Sequence, residues 1–322
     1  MFRRGIQAIP IMFGISVIVF LIIYLSPGDP TARFRVPRVP PEQIQALIRA
    51  YGLDKPLLEQ YVAWITTFVQ VWRPEAWGYS FLNGQPVLDV ILGRVPATVR
   101  LMGASLIITI IFAIPIGVLA AVKQYSWTDK IITTLATIGY AIPSFLIGLL
   151  ILYFGGVVLK QWTGGALGFP LFGMESLGKR GDWLDIAWHL VLPVTSLAIQ
   201  QIAAWARFMR TSMLEVLHQD YVRTARAKGL PRARVLGKHA LRNALIPIVT
   251  LLGLSVPALL AGAVITETIF SYPGLGSLVV NSVAGRDYPV VLALTMLGGL
   301  TVVLGNLLAD VLYGVVDPRI KY

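Results

Sequence analysis

Six long apolar runs constrain this chain more than any other feature: residues 7–25, 98–122, 131–159, 187–206, 244–270 and 290–315. Each approaches or exceeds the roughly 20 residues that a helix needs to cross about 30 Å of hydrocarbon. A soluble core could not bury that much apolar surface. The composition agrees, with 56% of residues hydrophobic and 13% charged, against about 25% charged in an ordinary soluble domain. Lipid offers the backbone no water, so the runs must be helices, which satisfy their own amides. The expectation is an all-α membrane protein with six transmembrane helices. The first run follows Arg3 and Arg4 as a signal peptide would. Its apolar part exceeds the roughly 7 to 15 residues of such a peptide and no small-residue cleavage site follows, so it is expected to stay as a helix. Pro115, Pro143, Pro193, Pro247 and Pro257 interrupt several runs, a pattern that neighbouring helices can tolerate.

The basic residues orient the chain. With the amino terminus inside, fifteen Lys and Arg fall in inner segments and four in short outer loops. The other eight lie in the long stretch after the first run, beyond the reach of a rule that governs loops shorter than about 60 residues. Both termini are therefore expected in the cytoplasm. Three parts follow: 1–25, the cytoplasmic amino terminus and first span; 26–97, an extracytoplasmic cap; and 98–322, a five-helix core with an inner loop at about 207–243. In the cap, Pro37, Pro40 and Pro41 predict an extended start. Ile44, Leu47 and Ile48 at helical spacing predict a surface helix over 41–51, with a second over 61–71. Trp72, Trp77 and Tyr79 suit an interfacial belt.

The net charge of +11 has its largest cluster in the inner loop. Nucleic acid explains that poorly, since anionic lipid and soluble partners both lie on that side. At 220–247 the loop reads DYVRTARAKGLPRARVLGKHALRNALIP. Asp220 is a good N-cap, Arg226 and Lys228 complement the negative end of a helix dipole, and Gly229 suits the left-handed residue beyond it. The spacing predicts two turns of helix over 221–228. Pro231 suits the first position of a second helix. The charge alone would follow from the positive-inside rule; the capped helix and its corner point to an element that a soluble partner can grip.

These residues also carry a resemblance. YVRTARAKG at 221–229 and HALRNALIP at 239–247 resemble the cytoplasmic loop of permease subunits of binding-protein-dependent ABC importers, in the dipeptide/oligopeptide branch. Arg223, Thr224 and Ala225 stand where the general importer pattern has Glu-Ala-Ala, and Pro247 comes later after Gly229 than that pattern has it. Further stretches are similar in the right order: PGDP at 27–30, YGLDKP at 51–56, ETIFSYPGLG at 267–276, RDYP at 286–289 and NLLADVLYGVVDPR at 306–319. The resemblance implies a type I-like importer permease of the prokaryotic inner membrane that forms half of a pore. Its implied partners are a second related permease, two ATP-binding subunits holding ATP and Mg, and an extracytoplasmic solute-binding protein. The implied cargo is di- or oligopeptide, with nickel complexes or glutathione carried by some relatives. Asp220, Tyr221, Arg223, Thr224, Ala225, Arg226, Lys228 and Gly229 then form the coupling helix. The outer turn Ser271, Tyr272, Pro273, Gly274, Leu275 and Gly276 would receive the solute-binding protein.

Direct chemistry finds little support in the chain. There is no cysteine, hence no thiol nucleophile or thiolate metal site. Gly237 and Lys238 belong to no phosphate-binding loop, because Arg232 stands where the first glycine is needed and His239 where Ser or Thr is. The three histidines His189, His218 and His239 are not at metal-ligand spacing. Neither a catalytic site, a metal site nor a bound cofactor is expected. Polar residues within spans are costly. Gln200, Gln201, Asn306 and Asp310 are the candidates for a transport pathway, a glutamine amide being able to donate to and accept from a passing peptide. For these residues, and for Glu267, the alternative is bonding between helices or snorkelling to the interface. A secondary transporter or channel working without ATPases would show inverted repeats and mid-membrane charges. No convincing repeat is present, and the charges lie near span ends. A membrane scaffold is a third possibility.

Overall fold

The computed structural model describes residues 2–25, 40–50, 52–70 and 73–316. Helices dominate it. In chain order they are α1 Phe2–Leu25, α2 Pro41–Ala50, α3 Leu57–Phe68, α4 Val87–Leu92, α5 Val95–Val122, α6 Trp127–Ala141 and α7 Ser144–Trp162. There follow α8 Trp183–Leu217, α9 Asp220–Ala227, α10 Arg232–Ala244, α11 Ile246–Ala261, α12 Val264–Ile269, α13 Leu275–Ala284 and α14 Tyr288–Val316. Among the described residues, five helical stretches are long and apolar enough to cross a membrane, and α10 with α11 makes a sixth if the pair, bent by 43°, is one span.

Two of the six runs are not single helices. The third breaks at Ile142, which is extended with ψ 130°, because the ring of Pro143 disfavours the helical conformation in the residue before it. The fifth bends at Leu245 and stops at Gly262, whose φ is +81°. A Cβ at Gly262 would lie 2.7 Å from the Gly276 backbone nitrogen. Two segments of backbone pass so closely there that only glycine fits.

The chain forms two compact units. The first comprises Met1–Arg94 and Leu278–Val303. Its amino-terminal elements are joined by a run of aromatic contacts: Phe20 stacks on Trp64 at 5.8 Å between centroids, and Phe68 on Trp77 at 4.7 Å. Ser16 hydrogen-bonds the Tyr61 hydroxyl at 2.8 Å. Helix α2 falls where a surface helix is expected, whereas the second expected helix starts earlier, at Leu57. Trp72, PGDP at 27–30 and Pro37 lie outside the described residues. Asp287, of the RDYP motif, is buried and accepts from the Ser80 hydroxyl and from the Phe81 amide at 2.8 Å.

The second unit comprises Val95–Ser277 and Leu304–Tyr322. Its spine is α5 against α8. Small residues at the crossing let the two backbones approach: a Cβ at Gly117 would lie 2.6 Å from Met209 Cβ and 2.7 Å from the Ala206 carbonyl. Ala113, Ala121, Met213, Ala240, Ala244 and Ile248 extend this core to α10 and α11. Helix α8 has 35 residues, about 52 Å of rise, so it runs well past the apolar stretch 187–206 and leads directly to α9.

Candidate functional site: the basic corner and the ties around it

Only His218 and Gln219 separate α8 from α9. The N-cap of α9 is Gln219, without a side-chain cap bond, and Asp220 is the first helical residue. This corrects the expectation that Asp220 caps the helix. Its carboxylate is 97% exposed and lies 3.7 Å from the Arg223 guanidinium, a loose surface pair worth little in water.

The other end closes as the glycine predicts. Gly229 has φ +73°, its amide donates to the Arg226 carbonyl at 2.9 Å, and the Leu230 amide reaches back to the Ala225 carbonyl at 3.4 Å. These are the two bonds of a Schellman motif, in which the apolar residue beyond the glycine packs on the last turn. Leu230 does so, joining a small core of Val222, Ala225 and Val235. Ala225 is 5% exposed and Val222 fully buried, so Ala225 seats the helix and is not a contact for a partner. Tyr221, Arg223, Thr224, Arg226, Lys228 and Gly229 are exposed. Asn243 of α10 donates to the Tyr221 hydroxyl at 2.9 Å, a link that sequence spacing did not single out. Pro231 flanks α10 as its N-cap, and Arg232 takes the first helical position.

The pathway candidates separate. Gln200 donates to the Ile142 carbonyl at 2.8 Å, satisfying a group left over by the break at Pro143. Gln201 lies 3.4 Å from both the Thr109 hydroxyl and the Ser105 hydroxyl of α5. Both glutamines tie helices together in this conformation. Asn306 is exposed on α14; Asp310 lies on the same helix, outside the described side chains.

The turn at 271–276 is mostly internal. Tyr272, Gly274, Leu275 and Gly276 are buried, Pro273 half-buried and Ser271 exposed. Four of the six expected docking residues therefore form the seat of the turn and offer no surface. Burial pushes the Tyr272 phenol up to about 12. Beneath the turn lies Glu267, fully buried. It accepts from the Ser277 amide at 2.8 Å, the Ala263 amide at 3.2 Å and the Thr98 hydroxyl at 3.2 Å. Thr98 in turn accepts from the Leu275 amide at 2.7 Å. The bonding alternative accounts for Glu267.

A further tie was not among the expected site residues. Arg210 of α8 holds the Asp129 carboxylate at the start of α6 with two bonds, Nε to Oδ1 at 2.6 Å and Nη2 to Oδ2 at 2.8 Å. Asp129 also accepts from the Tyr125 amide at 3.0 Å and the Thr133 hydroxyl at 3.2 Å. The available signal was Ser126 three residues before Asp129, capping-box spacing, and Ser126 does cap α6. Among the described residues no group of three or more His, Asp or Glu could hold a metal ion.

Two family models cover almost the whole chain: binding-protein-dependent transport system inner membrane component over residues 113–322, and its amino-terminal counterpart over residues 1–102. The chain belongs to this family. It is a multi-pass permease of the inner membrane, in a family whose members work with ATPase and substrate-binding partners. The permease is 43% identical over 321 residues to the oligopeptide transport system permease protein AppB of Bacillus subtilis, covering 99% of this chain and 98% of that protein. It is 39% identical over 335 residues to the dipeptide transport system permease protein DppB of Escherichia coli K12, with the same coverage. Among solved structures it resembles a chain of the inward-facing MetNI methionine ABC transporter, with TM-score 0.55 and 16% identity, over 72% of this chain and 98% of that one. That likeness shows the fold of the permease core.

Proposed function

We propose that the permease forms half of the pore of an ATP-driven importer of di- and oligopeptides, paired with a second, related permease. Two separate subunits bind ATP and Mg, and an extracytoplasmic protein delivers the cargo. Both termini and the corner at 219–232 face the cytoplasm, and the stretch 26–97 and the turn at 271–276 face outside. The full-length likeness to oligopeptide and dipeptide permeases supports the cargo class.

The observation that carries the coupling role is α9 itself. Val222 and Ala225 anchor it to the protein, the Schellman motif fixes its exit, and Tyr221, Arg223, Thr224, Arg226 and Lys228 are exposed. Because α9 follows α8 after two residues, a push on it acts on a helix that packs along α5. ATP-driven closure of the partner subunits would thus rock the bundle between inward and outward openings. At the outer face, Ser271 is the part of the turn available to a docked receptor.

Site-specific disulfide trapping tests the reading. Cysteines at Thr224 or Arg223 should cross-link to the ATPase subunit in membranes of the assembled transporter, in a manner that changes with ATP. Absence of any such cross-link from α9, with cross-links elsewhere in the same chain, would remove the coupling role.

A further inference from the structure

We propose that Arg207, seated on the ring of Tyr140, binds the carboxylate of a cargo peptide in the inner half of the transport pathway. The proposal rests on the peptide cargo and the orientation argued above. The Arg207 guanidinium carbon lies 4.6 Å from the centroid of the Tyr140 ring. Among the described residues it has neither a carboxylate partner nor a hydrogen bond. The acid on the facing helix, Asp129, is taken by Arg210.

Two ties fix where this cation stands. Gln200 of α8 meets Ile142 just past the end of α6, and Arg210 meets Asp129 at its start, so the two helices run antiparallel. Interpolated between those ties, the Arg207 backbone stands opposite Thr133. Its guanidinium is instead over Tyr140, seven residues further along α6. A helical side chain leans toward the N-terminus of its own helix, which for α8 is the outer end. Arg207 directly follows the apolar stretch 187–206, so its side chain reaches back into membrane depth. An arginine snorkelling to lipid phosphate would turn toward the cytoplasm.

A cation at that depth is costly unless it faces a water-filled cavity or meets an anion, and such residues mark transport paths. The face of α6 beside it is polar. Thr137 and Tyr140 are both exposed, and the Thr137 hydroxyl donates to the Thr133 carbonyl at 2.8 Å, which leaves its lone pairs for a donor. The ring holds the guanidinium by a cation–π contact while the N–H fork stays unused. That planar fork fits a carboxylate with two parallel bonds. A peptide ends in such a group, and its amides can bond the Thr137 and Tyr140 hydroxyls.

The test uses the complete transporter with its receptor in proteoliposomes, and tritiated alanyl-phenylalanine as the probe. Arg207→Gln should lower the peptide imported per ATP hydrolysed by roughly 10- to 100-fold, the worth of a charged hydrogen bond. Arg207→Lys, which keeps the charge but loses the fork, should lower it less. A merely structural role would reduce import and hydrolysis together, and an unchanged ratio overturns the proposal. A photo-crosslinking residue at Thr137 gives a direct readout: a peptide adduct that Arg207→Gln removes and Arg207→Lys keeps supports the site. Adducts only to phospholipid, or only to the second permease, overturn it. If the wild type imports no alanyl-phenylalanine, the peptide cargo of the proposed function fails and takes this site with it. If the wild type imports the peptide and Arg207→Gln does so equally well, only the Arg207 site fails.

Discussion

Arg210 binds both carboxylate oxygens of Asp129 at 2.6 and 2.8 Å, joining the first turn of α6 to α8 within 10 residues of the point where α8 ends and the path to α9 begins. The pair spans two helices that must move together if α9 transmits force. Asp129 is 4% exposed, so removing Arg210 strands a carboxylate with only the Tyr125 amide and Thr133 hydroxyl to serve it. Arg210→Ala should cost about 2–3 kcal/mol, below the roughly 3–5 kcal/mol of a wholly buried pair, read as a lower melting temperature in detergent. Asp129→Ala combined with Arg210→Ala should cost less than the two single changes together.

The same pair sets an acid limit. The hydrogen bonds from Arg210, helped by the Tyr125 amide, hold the Asp129 carboxyl at about 2, below its ordinary 3.8. A carboxyl depressed in the folded state stabilises the fold above its unfolded value, and that contribution disappears as pH falls through the folded one. Wild-type melting temperature should therefore drop between about pH 4 and pH 2 more steeply than that of Asp129→Asn, which has no such proton to gain. Parallel curves would mean that the carboxyl is not held down.

Beneath the turn at 271–276, Glu267 is expected to tolerate no neutral substitute. Gln keeps the size but turns a donor toward amides and a hydroxyl that need an acceptor, at a cost of about 2–4 kcal/mol. Gly276→Ala should be comparably harmful for a different reason, since its Cβ would stand 2.7 Å from the Val264 backbone, which cannot move aside as a flexible side chain would. Denaturation of the purified variants checks both; a Glu267→Gln protein as stable as wild type would show that the carboxylate is dispensable.

Gly229 offers the contrasting case, because a Cβ there meets nothing within 4 Å and only its φ of +73° resists substitution. Gly229→Val should strain the corner by about 1–3 kcal/mol. Transport and receptor-stimulated ATPase activity should fall together, while the protein still inserts. Asn, which adopts this conformation more readily, should retain most of the activity. Equal loss with Val and Asn would indicate that something other than backbone conformation matters at this position.

Topology can be read in intact cells because the chain has no cysteine. Gln45→Cys and Leu177→Cys should react with an impermeant maleimide from outside, and Gln219→Cys only after permeabilisation. Leu177 is fully exposed and is a better reporter than its neighbour Ser176, whose amide and hydroxyl are both bonded to Asp185. Outside labelling at Gln219 would reverse the orientation.

The sequence by itself determined the class and the family, because these follow from local quantities: the length of each apolar run and motifs that keep their order. It also placed the Gly229 corner, since a left-handed residue after a helix is written in a few neighbouring positions. Where the third and fifth runs break was legible only in outline, for Pro143 was visible, but the stop at Gly262 depends on the backbone of Gly276 pressing against it. Which side chains are covered and which are exposed was decided by tertiary structure alone. Ala225 reads as part of the coupling motif yet is covered by Val235 and Leu230; Gln200 reads as a pathway residue yet serves a carbonyl 58 positions away. The Glu267 node and the Asp129–Arg210 pair join residues 169 and 81 positions apart. Contacts at such separations depend on how whole helices pack, and no local pattern encodes them.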